Sequence, residues 1–176
     1  MIQLIKDMVK GFLDIKESVG NVSGKRKVSK ETYDLIKQFE GYSEKAYSDV
    51  VGVWTIGYGN TYYKDGSKVR EGDTITKAEA EELFQHVVDD FAQKINVLIK
   101  KDVNDCEFGA LVSLSYNIGV GAFKKSTLLR KVNGSPDDPS IGLEFLKWVK
   151  AGGKTVNGLV KRRNKEAEFY FNKNCS

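Results

Sequence analysis

The sequence predicts an α+β fold in which a small, glycine-rich antiparallel β lobe precedes a larger helical lobe, joined by one long helix. Two observations predict it. Between Tyr42 and Asp73 the chain breaks into short β-prone pieces interrupted by Gly52, Gly57, Gly59 and Gly66, whereas beyond Thr76 apolar residues recur every three or four positions between glycine stops. With 176 residues, 40% of them hydrophobic, the chain can bury one compact core shared by both lobes. The expected division is an extension over 1–28 and a main domain over 29–176, with the β lobe at about 42–73 and the helical lobe at about 76–176.

The first element is an amphipathic helix. In MIQLIKDMVKGFLDIKES the residues Ile2, Ile5, Val9 and Phe12 share one face, and Lys6, Asp7, Lys10 and Asp14 interrupt the apolar run. Those charges argue against both a secretory h-region and a membrane span. The face is expected to pack on the rest of the chain; a membrane surface and a partner are the alternatives. SVGNVSGKRKVS, residues 18–29, then reads as a linker. Ser29 can cap a helix over 30–40 that buries Leu35, Ile36 and Phe39, with Gly41 as its stop and Glu40 as its last residue.

VWTIGYG and NTYYKDGSKV are the β-prone pieces. Thr76-x-x-Glu79 is a capping-box pattern, and Ala80, Leu83, Val87, Phe91, Ile95 and Leu98 continue it as one long helix. Further helices are expected over 105–117, closed by Gly119, and over 125–132, closed by Asn133 and Gly134. Two more are expected over about 140–150 and 159–172.

Composition narrows the chemistry. A net charge of +4 favours approach to anionic polymers such as cell walls, membrane surfaces or nucleic acids, yet no basic run marks a nucleic-acid arm. Cys106 and Cys175 form neither a CxxC pair nor a zinc pattern, so free thiols in a reducing compartment are expected, with a disulfide between them as the alternative. The single histidine, His86, lies inside a helical pattern, which argues against zinc hydrolases and against Ser/His or Cys/His nucleophilic sites.

One constellation carries chemistry, in EGYSEKAYSDVVGVWT. A carboxylate at Glu40, at a helix C-terminus, is disfavoured in its ionised form by the macrodipole and by partial burial, as a general acid requires. Asp49, in a loop with polar neighbours, stays ionised if that loop is wet, and the Thr55 hydroxyl on the next strand can share a water with it. An acid and a water-activating carboxylate are the two groups that glycoside hydrolysis uses. A chance pair of surface carboxylates is the bland alternative.

The triplet Glu40-x8-Asp49-x5-Thr55 also resembles the catalytic triplet of the T4/P22-like phage-type lysozymes, the endolysins of glycoside hydrolase family 24. EGYSEKAYSDVVGVWTIGYGNT is similar to that family's segment spanning acid, loop and strand. SLSYNIGVGAFKKSTLL resembles its central helix and turn, and GLVKRRNKEAEFY its closing helix. The similarity runs from about Lys30 to Asn172. It implies a lysozyme-like fold with a cleft between the lobes, and a muramidase that cuts peptidoglycan glycan strands without metal or cofactor. It further implies Glu40 as general acid, Asp49 as the residue that orients or activates water, Thr55 as a holder of that water, and an inverting reaction. Tyr116, Asn117 and Ser126 match cleft-facing positions and are candidate sugar contacts, with helix packing and capping as the alternative for Tyr116 and Ser126. Arg162 or Arg163 is expected to reach Glu40, where an arginine would oppose the effect of burial and dipole.

Asn60 departs from the family, in which TIGYGHT is common, and a shifted pH profile is the expected effect. The resemblance leaves out the first 28 residues, and their charges argue against an apolar signal-anchor. A monomer made in the host cytoplasm, reaching the wall after release through a holin-type lesion, is the expected biology. A lytic transglycosylase on the same bond, needing one glutamate and no water-holding partner, is the rival enzyme. A wall-binding module with a decayed site is the rival outside catalysis.

Overall fold

A computed structural model describes residues 26–49 and 52–175. The expected leading helix therefore lies outside the described residues. Residues 26–28, read above as the end of a linker, are docked: Arg26 donates from Nη2 to the Val103 carbonyl at 2.7 Å and to Asp105 at 3.0 Å, and its guanidinium sits 4.5 Å from the centre of the Phe108 ring.

Helix α1 covers Lys30–Lys37, with the Ser29 hydroxyl accepting from the Thr32 amide at 3.3 Å. It ends earlier than the sequence suggests. The Phe39 and Glu40 amides bond to the carbonyls of Ile36 and Lys37, so the chain tightens into short turns and Glu40 stands three residues beyond the helix rather than closing it.

Strands β1 (Ser43–Ser48) and β2 (Trp54–Gly57) form an antiparallel pair in which Tyr47 faces Thr55 and Ser48 faces Trp54, with a bulge between Ser43 and Tyr47. The β1 segment, SEKAYS, lacks the alternation that marks a half-buried strand and is mostly exposed. Both of its edges are nevertheless occupied, since Ala46 and Glu44 bond to Asp73 and Ile75. NTYYKDGSKV, expected to be β-structure, makes only isolated bridges, Ile56 with Asn60 and Tyr62 with Lys68.

The capping box at Thr76 and Glu79 opens α2, Lys77–Asn96, which buries Ala80, Leu83, Phe84, Val88, Phe91 and Ile95. A second one, Asn104 with Glu107, opens α3, Asp105–Ile118. Helix α3 is buried on nearly every side, as a uniformly apolar helix must be, and packs against α1, α2 and α7 (Asn157–Tyr170). Gly109 lets these elements meet: a Cβ there would strike Thr32 of α1 and come within 2.8 Å of Phe169 of α7.

Two expected helices are shorter or displaced. The region after Gly119 divides into α4 (Val120–Lys124) and α5 (Thr127–Gly134), because Ser126 turns the chain and caps α5 through a 3.0 Å bond from the Leu129 amide. The helix expected over 140–150 is only α6, Ile141–Phe145. A two-residue hairpin follows it, β3 (Lys150–Ala151) with β4 (Lys154–Thr155), whose turn residues Gly152 and Gly153 both have positive φ.

The two cysteines are not free thiols. Cys106, at the start of α3, and Cys175, beyond α7, are joined as a disulfide with their Cα atoms 5.6 Å apart. A separation of 69 residues hides this pairing from the sequence, and the packing of α7 along α3 creates it.

Candidate active site

The site forms where the turn after α1, the β1–β2 hairpin and the first turns of α7 come together. Glu40 leaves its turn towards α7, and its Oε1 accepts from Arg162 Nη1 at 2.7 Å. The carboxylate is 21% exposed while Arg162 is 4% exposed, so the acid is reachable and its partner is not. Arg162 also lies 5.4 Å from the centre of the Phe39 ring, which fixes the turn from the other side. Oε2 of Glu40 sits beside Gly59, 3.9 Å from where a Cβ would be. Gly59 has φ +89 in a tight turn closed by reciprocal Ile56 and Asn60 backbone bonds, a conformation that favours glycine.

Asp49 organises its own loop. Its amide donates to the Val53 carbonyl at 3.0 Å, its carbonyl accepts from Gly52, and Oδ1 accepts from the Val53 amide at 2.8 Å. Thr55 is buried, and its hydroxyl donates to the Val53 carbonyl at 3.1 Å. Tyr47, on β1 opposite Thr55, is half exposed. Partial burial, then the charge of Asp49, then that of Glu40 push its phenol above the ordinary tyrosine value, so both carboxylates act on one hydroxyl.

Behind Glu40 lies a buried charge network that the sequence left half read. Arg162, not Arg163, reaches the acid. Burial alone would pull the Arg162 guanidinium down, but the charges of Glu40 and then Glu166, and the hydrogen bonds they accept, hold it above its ordinary value. Burial pulls Arg163 down to about 10; the charge of Glu166 opposes that pull and the like charge of Arg162 adds to it. Arg163 donates to Asn117 Oδ1 at 2.7 Å. Glu166, fully buried between the two arginines, was not singled out in the sequence, although RRNKE places it three and four positions beyond them on one helix face.

The candidate sugar contacts are placed as follows. Tyr116 is buried between Phe84 and Phe91, with ring centres 6.0 and 5.4 Å away, and burial followed by the charge of Glu40 pushes its phenol well up. Ser126 is buried and spends its hydroxyl on the α5 cap. Asn117 is only partly buried and accepts from Arg163 through Oδ1. Asn60 is buried, and among the described residues its Oδ1 has no hydrogen-bond partner. Among the described residues no group of three or more His, Cys, Asp or Glu could hold a metal ion.

Comparison with known proteins decides the family. The model of the phage lysozyme family matches residues 37–166, well over half of the chain, and spans Glu40, Asp49, Thr55 and the whole network. The chain belongs to the phage lysozyme family. It is 43% identical to the SAR-endolysin of Enterobacteria phage P21 over 130 residues, 74% of this chain and 76% of that protein. It is 42% identical to the endolysin of Bacillus phage B103 over 146 residues, 82% of this chain. That match spans about half, 54%, of the Bacillus phage protein. Among solved structures, the endolysin from Escherichia coli O157:H7 phage FAHEc1 superposes with a TM-score of 0.77 at 36% identity, covering 85% of this chain and 96% of that one. As a phage lysozyme the molecule has the α+β, lysozyme-like fold of that structural relative.

Proposed function

We propose that this phage lysozyme is a muramidase endolysin that hydrolyses the β-1,4 bond between N-acetylmuramic acid and N-acetylglucosamine in peptidoglycan. The observation that carries the reading is Glu40 reachable from solvent and anchored from behind by Arg162, with its free oxygen beside Gly59 in the turn after the β1–β2 hairpin that carries Asp49 and Thr55. Glu40 acts as the general acid. Because Arg162 occupies Oε1, the proton passes to the glycosidic oxygen from Oε2, beside Gly59. Asp49 orients and deprotonates the attacking water, and Thr55 helps hold it, giving inversion at the anomeric carbon. Asn117 contacts the sugar through its amide, while Tyr116 and Ser126 serve by holding α3 and α5 in place. The protein works as a monomer and reaches the wall after release from the host cytoplasm. The Cys106–Cys175 disulfide favours action outside a reducing compartment, and among the described residues no helix is long and apolar enough to cross a membrane.

Mass spectrometry of purified peptidoglycan digested by the wild-type chain and by Glu40→Gln tests this. Reducing muramic ends that vanish in the variant are the expected result. Anhydro ends would instead identify a transglycosylase, and binding to the wall without any product would identify a non-catalytic module.

A further inference from the structure

Glu166 is fully buried in the charge network and is held through Oε1, while Oε2 faces Arg163 as an ion pair without a hydrogen bond among the described residues. Oε1 accepts from Arg162 Nε at 3.0 Å and from the Ser113 hydroxyl at 2.6 Å. Oε2 lies 3.0 Å from Arg163 Nε. The Ser113 carbonyl in turn accepts from Arg162 Nη2 at 3.3 Å. Arg162 is thus gripped at Nε and Nη2 from inside the protein, and only Nη1 is left to project towards Glu40. A guanidinium is a rigid planar fork, so fixing two of its nitrogens fixes the direction of the third. The two arginines and two glutamates sum to zero charge, which lets Glu40 be the one member that meets solvent.

We infer that Glu166 is a positioning residue for the proposed reaction, acting through Arg162 to hold the Glu40 carboxylate in one orientation at the site. This rests on the muramidase reading for its consequence but not for its geometry. Loss of Glu166 frees Nε, and the Arg162 fork can then rotate away from Glu40. Misplacing a reacting group by about 1 Å can cost on the order of 100-fold in rate. Among the described residues, Tyr47 from β1, Tyr116 from α3 and Arg163 from α7 also feel the charge of Glu40.

The test uses two readouts. The first is hydrogen exchange of the Arg162 Nε–H resonance in the wild-type protein, with the exposed Arg130 as internal reference. The proposal expects Arg162 to exchange far more slowly, and exchange as fast as Arg130 overturns it. The second is kcat and KM on soluble glycan fragments for Glu166→Gln and for the charge-balanced pair Glu166→Gln with Arg163→Met, each first checked for folding by thermal unfolding. In whichever variant folds, kcat is expected to fall on the order of 10- to 100-fold with KM within about twofold. A folded variant with wild-type kcat overturns the proposal. If wild-type protein cleaves nothing while its Arg162 proton is protected, and that protection is lost in a folded variant, the muramidase reading has failed and the positioning role stands.

Discussion

Arg162 serves Glu40, Glu166 and the Ser113 carbonyl from one buried guanidinium, so substitutions there separate charge from shape. Arg162→Met leaves Glu166 fully buried with the Arg163 charge and the Ser113 hydroxyl beside it but without its Arg162 partner, and breaking a buried pair from one side costs about 3–5 kcal/mol. Urea unfolding should show a loss of that size. Arg162→Lys should lose less stability, because the charge remains, yet its single ammonium cannot reproduce a fork that reaches three acceptors. A wild-type unfolding midpoint for Arg162→Met would contradict the network described above. The same residues show what a sequence makes legible. Glu40, Asp49 and Thr55 were singled out because their spacing falls in one short segment, and they remain the proposed site. Which of two adjacent arginines turns towards Glu40 depends on the rotation of α7 about its axis, and the part played by Glu166 appears only once both arginines are seen to converge on it.

At the scale of elements, the approach of α1, α3 and α7 sets the distance between Glu40 and Arg162, which lie on different segments. Gly109 is a point of close approach between them. Gly109→Ala must push Thr32 or Phe169 aside, and overpacking of this kind costs about 1–3 kcal/mol. The expected outcome is a lower melting temperature together with reduced turnover, although Gly109 is no part of the site; unchanged stability would show that the helices separate freely. Elements were legible where local chemistry dominates. The capping box of Thr76 with Glu79 was read from the sequence, and that of Asn104 with Glu107, found in the structure, starts its helix in the same way through bonds made within four residues. Strand β1 was not, since SEKAYS is held by the backbones of β2 and of residues 73–75 rather than by its own side chains. The end of α1 at Lys37 escaped for a similar reason: the turn that carries Glu40 is stabilised from α7 and from Phe39 stacked on Arg162.

For the whole molecule, the disulfide ties the start of α3 to the segment after α7, and so closes a loop through most of the helical lobe. Loop-closure entropy for a link of this length is about 4 kcal/mol. Cys106→Ser with Cys175→Ser is therefore expected to unfold at lower urea concentration by roughly 2–4 kcal/mol while keeping its turnover at 25 °C, because neither sulfur approaches Glu40 or Asp49. Equal stability of oxidised and reduced protein would show that the helix packing alone holds the chain end. The burial of Arg162 and Glu166 has one more consequence, for how such an enzyme responds to salt. Surface charges lose sight of one another beyond about 8–10 Å at physiological ionic strength, whereas a pair enclosed by protein is hardly screened. On the proposed function, the net charge of +4 that favours approach to an anionic polymer and the ionic scaffold behind Glu40 are expected to answer to salt separately. Ionic strength is then expected to control how often the protein meets its proposed substrate far more than how fast it breaks a bond once there.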